Sequence, residues 1–221
     1  MKRSEVNEYI RYNMELMKKH HFMLPDWAYY KPEDWKGIKD KCSEIFENGL
    51  GWDITDFGWG DFERIGLSLI TLRNGNLNKA NQKTYCEKIM VVRKNQITPE
   101  HYHVLKTEDI INRGGGVLCM KLWNSTKDGR LDTSDVLIKK DGIDLIVKAG
   151  ETISIKPGQS VCYTPYLYHR FWAEGEDTLV GEVSSVNDDK TDNYFLEPKG
   201  RFSTIEENEA IEHYLCNEYP F

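Results

Sequence analysis

Nowhere in this chain do basic residues cluster with interleaved aromatics, and the formal net charge is −7. Both facts argue against nucleic acid as a partner, because phosphate contacts need a concentrated positive face. No apolar run approaches the roughly 20 residues of a membrane span, so no membrane partner is expected. The opening Met1-Lys2-Arg3-Ser4-Glu5 leads into a charged amphipathic segment and not an apolar one. No secretory signal is therefore expected, and a cytoplasmic location is. Cysteine is sparse and scattered: Cys42, Cys86, Cys119, Cys162 and Cys216 form no C-x-x-C, which points to free, mostly buried thiols in a reducing compartment. No internal repeat is present. Arginines do not cluster and no glycine-rich phosphate cradle is visible, which argues against a phosphorylated ligand.

What is present fits a chain of 221 residues with a full core, as one large all-β domain or two small ones. The first fifty residues read as helical. Ser4 is an apt N-cap, and Val6, Ile10, Met14 and Met17 recur at helical spacing until Pro25 stops the pattern. His20 and His21 read as its solvated end. A second helix is expected from Pro32 to Gly49, with Trp35, Ile38, Cys42, Ile45 and Phe46 as its stripe. From about residue 60 the period shortens. Strands are expected over 62–72, 85–93, across the His101/His103 stretch, 117–123, 135–139, 143–148, 153–155, 161–164, 168–172 and 179–186. Gly114-Gly115-Gly116 breaks the chain, and Asp141-Gly142 marks a hairpin. Many short strands at close spacing argue for a sandwich or barrel. Residues 203–213 carry a capping-box pattern, Ser203 with Glu206, that predicts a short helix.

One stretch carries chemistry: Thr98-Pro99-Glu100-His101-Tyr102-His103, followed by Lys106-Thr107-Glu108. On a strand, alternate side chains share a face, so His101 and His103 point the same way. Glu108 has the wrong parity for one straight strand and requires a bend. Imidazoles with a carboxylate suit Mn, Fe, Co, Ni or Zn as divalent ions.

The pair, the following Glu108, Gly150, the Pro157-Gly158 turn and the lone His169 resemble the two motifs of the cupin superfamily. More closely, the whole chain is similar to the D-lyxose ketol-isomerases. The carrying residues are Glu87-Lys88-Ile89-Met90, Thr98 to His103, Lys106 to Glu108, Tyr168-His169-Arg170-Phe171, Glu182-Val183-Ser184, Val186 to Asp189 and Asn193 to Pro198. The resemblance implies a mainly β, cupin-type jelly-roll barrel with N-terminal helices packed outside. The expected division is a helical arm over 1–58, the barrel over 59–200 and a packed tail over 201–221. It implies a divalent metal, most often Mn2+, held by His101, His103, Glu108 and His169, and the interconversion of D-lyxose with D-xylulose and of D-mannose with D-fructose through an enediolate. A homodimer is the expected assembly.

That chemistry assigns further roles. Glu182 stands in an apolar run, Val180-Gly181-Glu182-Val183, and is the candidate base that carries the proton between carbons. Lys106, between the ligand strand and Glu108, and Lys88, mid-strand, are the candidate cations for the sugar oxygens. Asp189, Arg201 and Asp192 are candidates for binding sugar hydroxyls, and Trp59, Phe171 and Phe195 for walling the ring. His213 reads as a core or surface histidine. Two other readings share the ligand set: a mononuclear iron dioxygenase and a non-catalytic sugar-binding cupin.

Overall fold

The computed structural model describes residues 1–80 and 82–220. Its helices are α1 (Arg3–Lys19) and α2 (Ser43–Glu47). Its strands are β1 (Gly51–Thr55), β2 (Leu67–Arg73), β3 (Tyr85–Val92), β4 (Ile97–Tyr102), β5 (Glu108–Asn124), β6 (Val136–Lys140), β7 (Ile143–Val147), β8 (Thr152–Ile155), β9 (Ser160–Tyr163), β10 (Leu167–Ser185) and β11 (Tyr194–Phe195). All the strand pairs are antiparallel.

Two long strands organise the barrel. β5 and β10 pair from Leu167↔Asn124 to Ser184↔Glu108, with register slips between Glu174 and Thr178 and between Leu179 and Val180. On one side of the slips β10 also pairs with β4, and β5 with β8. On the other side β10 pairs with β3, and β5 with β9. The same two strands therefore enter both walls, and the core lies between: Met90, Ile110 and Val180 share one apolar cluster with Met120, Phe171 and Ala173. This is the mainly β jelly roll that the resemblance implies.

The outer face of β1, β2 and β3 is covered too. Val6, Ile10 and Met17 of α1 pack with Ile54, Ile70, Ile89 and Val91. A sheet buried on both faces explains the near-continuous burial of β2 and the apolar run Ile89 to Val92 of β3. The C-terminal stretch clasps α1 to the sheet: the buried Arg3 guanidinium pairs with Glu207 at 2.7 Å and Glu218 at 2.6 Å.

Several local expectations change. α1 begins at Arg3, not after Ser4; the Lys2 N–H donates to Glu5 at 2.6 Å, and Ser4 is occupied with Asn208. The second helix shrinks to α2, because Gly37 adopts φ +77 inside the expected span and the chain turns instead. Trp35 remains buried, edge-on to Tyr30, Phe46 and Tyr219. Phe62 precedes β2 and stacks on Tyr9 at 4.2 Å. Gly114-Gly115-Gly116 does not break the chain. A Cβ at Gly115 or Gly116 would collide with the Asp177 or Glu174 carbonyl, so the glycines let β5 pass its bulged neighbour without stopping. No helix forms over 203–213, because the Ser203 hydroxyl donates to Asp56 at 2.7 Å and accepts the Asp56 N–H. The Asp141-Gly142 hairpin is as expected, with φ +51 and +79 joining β6 to β7.

Candidate active site

β4 and β10 meet at the register pair His169↔His101, which brings three buried imidazoles into the barrel interior. Each ring is anchored through Nδ1 to a main-chain carbonyl. His101 meets Pro99 O at 2.8 Å, His169 meets Leu167 O at 3.0 Å, and His103 meets Asp192 O. A carbonyl only accepts, so each Nδ1 carries the proton and each Nε2 keeps its lone pair. Burial pushes His101 well below its ordinary pKa, with His169 and His103 adding to the effect. Burial lowers His169 to about 4, outweighing the pull of Glu108.

The three ligand atoms lie within 4.8 Å of one another. His169 Nε2 and His101 Nε2 confront each other at 3.1 Å, and His103 Nε2 is buried without a hydrogen-bond partner among the described residues. The chain bends after β4, and Glu108 at the start of β5 brings Oε1 to 3.2 Å from His169 Nε2 and 3.5 Å from His103 Nε2. Open lone pairs gathered around one point, with a carboxylate beside them, fit a divalent cation of the borderline or hard kind. Burial opposes ionisation of Glu108, but Lys106 at 2.5 Å holds its carboxyl well below the usual range.

The other half of the cavity is charged. Lys106 Nζ reaches Glu182 Oε1 at 3.0 Å, and Lys88 Nζ reaches the same oxygen at 3.4 Å. Glu182 faces inward because Val180, Glu182 and Ser184 alternate on β10, leaving Val183 exposed. Asn187 Oδ1 accepts from Lys88 at 2.7 Å, and its amide nitrogen donates to Asp189 at 2.9 Å. Arg201 bridges Asp189 at 3.1 Å and Asp53 at 2.6 Å. Burial works against the Asp189 charge, but Arg201 and both lysines hold its carboxyl far below the ordinary value. Asp53 is shifted the other way, upward, by burial. Lys88, Lys106 and Arg201 thus face Glu108, Glu182, Asp53 and Asp189, one more carboxylate than cation. A divalent ion would reverse that imbalance.

His101, His103, Glu108, His169, Glu182, Lys106, Lys88, Asp189, Arg201, Phe171 and Phe195 all line this one cavity. Trp59 does not; it packs beside the core with Lys199 over its ring at 5.4 Å. Asp192 does not line it either, and its carboxylate is spent on the backbone of Val104, Leu105 and Lys106. His20 is half-buried against Gly114 and not solvated, and His213 is buried with Nδ1 2.9 Å from Tyr30 O. All five cysteines are free, and burial pushes the Cys86 thiol up to about 12. Sequence reasoning missed Asn187 and Asp53. Asp53 carried the signal that singled out Glu182, a carboxylate between apolar neighbours, Trp52 and Ile54.

Comparison with known proteins gives the chain a family. The family model for D-lyxose isomerase matches residues 1–219. The D-lyxose/D-mannose isomerase of Escherichia coli O157:H7 is 45% identical over 223 residues, covering 99% of this chain and 98% of the relative. That of Serratia proteamaculans is 46% identical with the same coverage. Among solved structures, the L-ribose isomerase of Acinetobacter sp. DL28 superposes with a TM-score of 0.63 at 15% identity, covering 93% of this chain and 98% of that one. That likeness concerns the cupin-type fold. Matched along nearly its whole length, the chain belongs to the D-lyxose isomerase family of sugar isomerases.

Proposed function

We propose that this enzyme interconverts D-lyxose with D-xylulose, and D-mannose with D-fructose, in a divalent-metal-dependent aldose–ketose isomerisation. The names of the two relatives at 45% and 46% identity support the choice of sugars. The observation that carries the mechanism is Glu182 Oε1 held by Lys106 at 3.0 Å, in the cavity onto which the three open Nε2 atoms face.

His101, His103, His169 and Glu108 would hold the ion, Mn2+ in this reading. When bound, it supplies Lewis-acid stabilisation of the negative charge that builds on two adjacent sugar oxygens. Glu182 takes the proton from C2 and returns it to C1. Ser184 at 3.1 Å, Lys106 and Lys88 all address Oε1 of Glu182. Among the described residues no donor is assigned to Oε2, which leaves that oxygen to carry the proton. Lys106 and Lys88 stabilise the negative charge on the two sugar oxygens while the hydroxyl proton passes from O2 to O1. The buried Arg201 Nη1 has no hydrogen-bond partner among the described residues and is suited to a sugar hydroxyl, with Asp189 as an acceptor beside it. The Phe171 ring forms an apolar wall.

The test is to incubate EDTA-stripped protein with D-lyxose, with and without Mn2+, under anaerobic and under aerobic conditions. Metal-dependent D-xylulose is the expected result. No ketose with any divalent ion would overturn the reading, and a product that forms only with oxygen would favour the dioxygenase.

A further inference from the structure

The bend that carries the chain from His103 to Glu108 leaves the sheet, so the N–H groups along it have no ladder partner. Buried main-chain donors of that kind must be satisfied elsewhere. Here one side chain takes three in succession. The Asp192 carboxylate accepts the N–H of Val104 at 2.7 Å, of Leu105 at 3.1 Å and of Lys106 at 3.1 Å. The next N–H, of Thr107, goes to the Ser185 hydroxyl at 3.1 Å. The main-chain carbonyl of the same Asp192 accepts the His103 Nδ1 proton. Asp192 is buried, and it lies outside the cavity lining.

The segment that presents Asp192 is itself built. Its N–H donates to Asp188 O at 3.0 Å, and the Asp188 carboxylate accepts from Lys190 N–H at 3.0 Å and from the Thr191 hydroxyl at 2.6 Å. Directly after it, β11 pairs with β4 through Phe195↔His101. One residue thus touches the His103 ring and the backbone that sets Lys106, and shapes the path to Glu108.

We infer that Asp192 is a positioning residue: its carboxylate fixes the 103–108 bend and its carbonyl fixes the tautomer and orientation of His103, so that His103 and Glu108 converge. This rests on the metal reading proposed above. It assigns Asp192 a purpose different from sugar binding, for which the residue stands in the wrong place.

The test measures Mn2+ binding by calorimetry on EDTA-stripped wild type, Asp192→Asn and Asp192→Ala, alongside the melting temperature of each metal-free protein. Asp192→Asn keeps the side-chain volume and one acceptor oxygen, so it disturbs the fold less than the alanine does. Asn7→Ala serves as a control for general destabilisation. It removes a buried side chain that ties α1 to Glu209 and Ala210, on the outer layer and outside the cavity. Loss of an outer partner of a ligand typically weakens metal binding by roughly 10–100-fold. Both Asp192 variants are expected to weaken Mn2+ binding in that range, the alanine more, while Asn7→Ala lowers the melting temperature at unchanged affinity. Wild-type Mn2+ affinity in Asp192→Asn, or a loss in proportion to melting temperature that Asn7→Ala shares, would overturn the inference. A wild-type protein that takes up no Mn2+ would overturn the metal reading itself, and this inference with it.

Discussion

His101, His103 and His169 are each anchored to a main-chain carbonyl, whereas Lys88, Lys106, Glu182, Asp189 and Arg201 are anchored chiefly to one another and to Asn187 and Asp53. Main-chain anchorage survives the loss of a neighbour, so a change among the histidines removes a ligand and little else. Mutual anchorage does not: deleting one charge strands its partners in a buried site, where an unpaired charge is expensive. The ligating half of the cavity should therefore fail in binding and the charged half in stability as well as turnover.

The largest effect separates the two halves most sharply. His103→Ala removes a proposed ligand and should weaken Mn2+ binding by more than the roughly 100-fold seen for outer partners, with turnover lost and the metal-free fold intact; metal analysis and circular dichroism check both. Next, Arg201→Met leaves Asp53 and Asp189 without the cation that bridges them. Unfolding in urea should show a loss of about 3–5 kcal/mol, the usual result of breaking a buried ion pair from one side. A smaller effect concerns acid. Asp189 is held below its unfolded value near about 3.9, so it contributes stability above that pH and loses it as pH falls toward the folded value. In Asp189→Asn that contribution should vanish, and the difference in melting temperature from wild type should shrink as pH is lowered through about 4. The smallest effect is Trp59→Phe, which lies outside the cavity and should leave kcat and KM for D-lyxose nearly unchanged.

How much of this was legible beforehand depended on which physical signal each residue carries. His101 and His103 are readable because strand alternation is local and strict, and the parity of Glu108 foretold the bend after β4. Glu182 stood out as a charge in an apolar run. β5 was read only in its second half, 117–123, since Gly114-Gly115-Gly116 looks like a break, and β10 as two strands, 168–172 and 179–186; what keeps β5 continuous is its contact with Asp177 and Glu174, which no local pattern reveals. The expected helix over 32–49 had a good apolar stripe, but Gly37 and the packing of Trp35 on the far C-terminal Tyr219 prevailed. Asp192 looks like any loop acid; its role lies in contacts some 86–89 positions away along the chain. Asn187 was invisible for the same reason, since an amide between Lys88 and Asp189 is defined only by the fold.

The claim at the centre of this account is that one half of the cavity binds the ion while Glu182, in the other half, moves the proton. The direct measurement is Mn2+ stoichiometry and D-lyxose turnover, made side by side on Glu182→Gln. General acid–base groups typically contribute roughly 10²–10⁴-fold. The account predicts wild-type Mn2+ content with turnover reduced by at least about 100-fold. A variant that isomerises D-lyxose at the wild-type rate with its metal in place would contradict it.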